Sequence, residues 1–73
     1  MATISERLRM LRKEKHLTQV QIAKFLDQTP RAYQYCEAGS HVPEFPNLVA
    51  LADFYDVSLD YLIGRSETRE RQP

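Results

Sequence analysis

The chain has 73 residues, of which 42% are hydrophobic and 27% charged, with ten Lys and Arg against ten Asp and Glu. That size means one domain with a thin core, and the composition is that of a folded globular chain rather than a disordered one. No apolar run approaches a membrane span, the start MATISERLRM lacks the apolar stretch of a secretory signal, and a single cysteine excludes an internal disulfide framework. The expectation is a cytoplasmic protein without membrane contact.

"TISE" is a Thr-x-x-Glu capping box that predicts a helix start at Thr3, and Ile4, Leu8 and Leu11 follow as an apolar stripe at helical spacing. This first helix is expected to end near Lys15, with His16 as the turn residue. "TQVQ" is a second box, from Thr18 to Gln21, with Ile22, Ala23 and Leu26 on one face. Asp27 and Gln28 then form a turn, Asp being one of the few non-glycine types that tolerate the left-handed conformation.

Pro30 looks like a helix breaker, but it directly follows Thr29, a natural N-cap. At the first helical position its missing N–H costs nothing and its fixed φ is already helical, so a helix is expected to begin there and end at Gly39. "GSHVPEFP" reads as a loop, with Pro43 and Pro46 bracketing the next start. Leu48, Leu51, Ala52 and Tyr55 give a fourth helix its apolar face. Ser58 caps a short fifth helix carrying Leu59, Leu62 and Ile63, closed by Gly64. No segment alternates with period two, so the fold class is all-α with five short helices. Residues 65–73 carry charge without an apolar face and are expected to fray from a domain spanning 1–64.

The neutral total is unevenly distributed. Residues 1–31 hold Arg7, Arg9, Arg12, Lys13, Lys15, Lys24 and Arg31 against Glu6, Glu14 and Asp27. Residues 32–64 hold no Lys or Arg, only Glu37, Glu44, Asp53, Asp56 and Asp60. One basic face that meets nucleic acid and one acidic face turned away from it would give this pattern, as would a mixed solvated surface.

"LTQVQIAKFLDQTPRAYQYCEAG" resembles the helix-turn-helix of the phage repressor and Cro family, also called the XRE family. "RLRMLRKEKHLTQ" resembles the family's first helix, and "HVPEFPNLVALADFYDVSLDYLIG" its fourth and fifth, so the resemblance covers roughly residues 4–64. It implies a five-helix lambda-repressor-like domain whose helices 2 and 3 form the motif, and a sequence-specific regulator, most simply a repressor occupying a near-palindromic operator on double-stranded DNA. On that resemblance Gln19 binds phosphate while supporting the third helix, and Gln28, Thr29, Pro30, Arg31 and Tyr35 lie at or before the base-facing start of that helix. Ser40 and His41 align with phosphate contacts, and Arg12 and Glu37 with a buried ion pair.

Arg31 is the expected base reader, because its guanidinium fork matches guanine O6 and N7. Arg9 and Lys13, one turn apart, are candidate phosphate contacts. Leu59, Tyr61 and Ile63 are candidates for a homodimer contact, since one recognition helix buries little surface. The family usually has glycine where Asp27 stands, and a β-branched residue where Tyr33 stands. No catalytic constellation and no cofactor are expected. Cys36, His16 and His41 lack metal-ligand spacing, and Asp53, Asp56 and Asp60 lack the calcium-loop pattern. Two alternatives remain open: a protein-binding module such as an antitoxin, and the DNA-binding part of a longer sensor-regulator.

Overall fold

A computed structural model describes residues 2–71. Five helices follow in chain order: α1 (Ile4–Glu14), α2 (Gln19–Phe25), α3 (Pro30–Ala38), α4 (Phe45–Tyr55) and α5 (Leu59–Leu62). Their starts are set locally. Thr3 and Thr18 close full capping boxes, each side chain accepting from its third helical residue while Glu6 and Gln21 reach back to the cap N–H. Thr29 and Ser58 cap α3 and α5 by accepting from Ala32 and Tyr61.

The exits use left-handed backbone. His16, Asp27 and Asp56 have φ of 57°, 57° and 55°, and Gly39 closes α3 at 85°. Histidine and aspartate are among the types that enter this region with least penalty. Gly64 also has φ 85°, and a Cβ there would run into the Ala2 carbonyl, so this position brings the chain back against its own beginning.

Leu8, Leu11, Ile22, Ala23, Tyr33, Leu51 and Leu62 are at most 3% exposed and form the centre of the core. α3 packs on α1 and α2, while α5 closes against α4 and α1. No helix among the described residues is long and apolar enough to cross a membrane.

Residues 65–71, expected to fray, run back along the body through polar contacts. Ser58 N–H donates to the Arg69 carbonyl at 2.8 Å, and the Ser58 hydroxyl to that of Thr68 at 3.1 Å. Arg69 spans Glu14 with two bonds of 3.0 and 2.6 Å and donates to the Tyr61 hydroxyl at 3.0 Å. Arg71 pairs with Asp53. These groups anchor the segment without the apolar face that the sequence lacks. Residues 72 and 73 of the predicted tail lie outside the described residues.

Candidate nucleic-acid interface

α3 divides cleanly between a buried and an exposed arc. Tyr33, Cys36 and Glu37 face inward, whereas Pro30, Arg31, Gln34, Tyr35 and Ala38 face solvent. Cys36 is an inert thiol in this setting, its pKa raised by burial and then by the neighbouring Glu37 charge.

Glu37, 5% exposed, is the node that fixes the helix. Its Oε2 accepts from Arg12 Nε at 2.7 Å and from the Tyr33 hydroxyl at 2.6 Å; its Oε1 accepts from Arg12 Nη2 and from Gln19 Nε2, both at 3.1 Å. Arg12 also donates to the Leu17 carbonyl at 2.9 Å, in the α1–α2 turn. One carboxylate therefore ties α1, α2 and α3 together. Burial works to raise the Glu37 pKa, but the hydrogen bonds from Arg12, Tyr33 and Gln19 outweigh it and hold the carboxyl below its ordinary range. Burial, and then donation to that carboxylate, push the Tyr33 phenol well above its own.

Two helices joined by the short Leu26–Gln28 turn, the second with a solvent-facing arc at its start, are the geometry of a helix-turn-helix. Residues 8–62 match the model of the family described as Helix-turn-helix. The chain belongs to that family. Among curated relatives it is 42% identical over 67 residues to YqaE of Bacillus subtilis (strain 168), named as an uncharacterized HTH-type transcriptional regulator; the match covers 92% of this chain and 57% of that protein. It is 39% identical over 69 residues to RstR of Vibrio cholerae, named as a cryptic phage CTXphi transcriptional repressor, covering 94% of this chain and 62% of that one. The chain thus spans less than two thirds of the length of these relatives. No solved structure gives a significant match.

Within the family motif, the structure places the expected residues as follows. Gln19 is half-buried with its amide on Glu37. The Gln28 backbone N–H is tied to the Ala23 carbonyl at 2.8 Å, while its side-chain Oε1 is buried without a hydrogen-bond partner. The Thr29 hydroxyl is occupied as acceptor of the cap bond, at 3.1 Å. Arg31 is exposed and makes no ion pair among the described residues. Ser40 and His41 both donate their N–H groups to the Tyr35 carbonyl, at 3.0 and 3.3 Å, and the His41 ring meets the Tyr35 ring edge-on at 5.2 Å. This brings Tyr35, Ser40 and His41 together at the C-terminal flank of α3.

Arg9 and Lys13 are exposed on α1, either side of Met10. Arg7, counted on the basic side, is not available there. It is 3% exposed, stacks 3.7 Å from the Tyr61 ring centroid, and donates to the Tyr61 and Ser66 carbonyls and to Glu67.

That packing corrects one dimer candidate. Tyr61 is 6% exposed, covered by Arg7 and by Arg69, so its ring offers no free contact surface; Leu59 and Ile63 are half-buried against the core. Three features were missed in sequence: burial of Arg7, the Tyr33 hydroxyl on Glu37, and the place of Gln34 on the exposed arc of α3. The second had a visible signal in the four-residue spacing, and the third in the helical repeat.

Proposed function

We propose that this domain binds double-stranded DNA through α3 in the major groove and regulates transcription, acting as a repressor that occupies a near-palindromic operator as a homodimer. The observation that carries this is the exposed, unpaired start of α3 on a helix whose angle is locked by the Glu37 node. Helices of this motif lie in the major groove with their N-terminal residues at base edges. Arg31 reads guanine, and Gln19, Ser40, His41, Arg9 and Lys13 contact phosphates. The RstR name supports the repressor assignment. Two-fold pairing supplies the surface that one helix lacks, with Leu59 and Ile63 contributing their exposed parts. The reading places the protein in the cytoplasm and involves no catalytic step or cofactor.

Titration of labelled duplexes, random and from the upstream region of its own gene, at two salt concentrations tests this. Arg31→Ala should cost specific affinity, and Lys13→Ala should weaken binding to all sequences and lower the salt slope by about one. No binding at low salt, or binding indifferent to Arg31→Ala and Gln19→Ala, overturns it.

A second reading, a protein-binding module such as an antitoxin, is favoured by the Phe25 and Phe54 rings. Their centroids lie 4.8 Å apart with the rings tilted at 39°, while they remain 49% and 38% exposed. A third, the DNA-binding part of a longer sensor-regulator, is supported by the shares of the relatives' lengths that are covered.

A further inference from the structure

We infer that Gln34 is a second base-reading residue, specific for adenine at a base pair next to the one read by Arg31; this rests on the DNA-binding reading above. The exposed arc of α3 runs over Pro30, Arg31, Gln34, Tyr35 and Ala38. At about 100° per residue, Gln34 projects about 40° from Pro30 and about 60° from Arg31, so it lies between the two. Tyr35 projects about 40° beyond Arg31, on the side away from Gln34, where it meets the His41 ring at 5.2 Å. Tyr35, held against the His41 ring, suits a backbone contact, and Gln34, between the first two residues of the helix, suits a base contact.

Three further points assign the readout to Gln34. Helical side chains lean toward the N-terminus, so that of Gln34 lies over the turn containing Pro30 and Arg31. Pro30 has no side-chain donor or acceptor, so the base edge beneath that turn has no polar partner from the first helical position. Gln34 makes no side-chain hydrogen bond among the described residues, unlike Thr29, whose hydroxyl caps the helix. Its amide presents one donor and one acceptor side by side, the pattern that pairs with adenine N7 and N6. The rise from Arg31 to Gln34 is about 4.5 Å, against a base-pair step of about 3.4 Å, a separation that lets the two residues reach neighbouring base pairs.

The experiment is selection of preferred duplexes from a randomised pool, followed by affinity measurement on single-base variants of the winner. Wild type, Arg31→Ala, Gln34→Ala and Gln34→Glu are compared as full chains. Gln34 is exposed, so each variant's thermal midpoint should match wild type. Wild type should select a guanine with an adenine beside it. Gln34→Ala should lose roughly 5-fold to 150-fold of discrimination at the adenine alone, leaving the guanine preference intact. Gln34→Glu should move the preference there toward cytosine, whose N4 amine donates to a carboxylate. A wild-type motif left unchanged by both Gln34 variants, or weakened evenly at all positions, overturns the assignment while the DNA-binding reading stands. If wild type selects no motif, both fall.

Discussion

Glu37→Ala should destabilise the domain by about 3–5 kcal/mol, the range for removing one partner of a buried ion pair. The local geometry divides that loss. Arg12 keeps its 2.9 Å bond to the Leu17 carbonyl and has 13% of its side chain exposed, so the stranded guanidinium retains some solvation. Tyr33 has no such relief, being 0% exposed with Glu37 as its hydroxyl's one hydrogen-bond partner among the described residues. A buried hydroxyl stripped of its partner costs about 1–3 kcal/mol.

Against a total of roughly 5–15 kcal/mol the change is large. At about 4–8 °C per kcal/mol for a domain of this size, the thermal midpoint should fall by about 12 °C or more. Urea unfolding followed by circular dichroism gives the loss directly, provided the slope with denaturant is unchanged. Glu37→Ala combined with Tyr33→Phe should recover part of it, because the stranded hydroxyl is then gone. A loss below about 1 kcal/mol, or no recovery in the double variant, would refute the assignment of Glu37 as the tie between α1, α2 and α3.

The same node fixes the sign of an acid response. A carboxyl held below its ordinary range contributes stability that is present above its unfolded pKa, about 4.3, and is lost as pH falls through the folded value. Midpoints measured from pH 6 down to pH 3 should therefore fall less steeply in Glu37→Gln than in wild type; equal slopes would count against it. Gly64→Ala should be far more harmful than Gly39→Ala. Both residues have φ 85°, but a Cβ at Gly64 meets the Ala2 carbonyl backbone, whereas at Gly39 the nearest atom is the Ser5 hydroxyl oxygen, 3.6 Å away; equal denaturation midpoints would contradict the close approach. Asp27→Gly should raise stability by relieving left-handed strain, by less than the roughly 1–2 kcal/mol that an ordinary side chain costs there, and should strengthen DNA binding by removing a negative charge beside the start of α3. A lower midpoint would show that the Asp27 backbone is not strained.

Cap and turn chemistry made much of the fold legible in the sequence. The boxes at Thr3 and Thr18, the cap at Thr29 and the proline after it involve residues at most three apart, so the signal for each helix start needs no partner from elsewhere in the chain. Five helices, their approximate ends and the exposed start of α3 were therefore written locally. Arg12 with Glu37 was legible through resemblance alone, since nothing in a stretch of sequence states which residue lies 25 positions away in space.

What the tertiary structure alone decided are the contacts of longest separation. Arg7 lies on the apolar stripe of α1 as a charged residue, and only the arrival of α5 and the returning tail, 54 to 60 residues later, gives its guanidinium partners that allow burial. The same tail covers Tyr61 and pairs Arg69 with Glu14 across 55 residues. Local propensity could state that residues 65–71 have no apolar face to pack. Their anchorage depends on donors at Ser58 and acceptors at Tyr61, Glu14 and Asp53, which come within reach of the tail only after the helices have assembled.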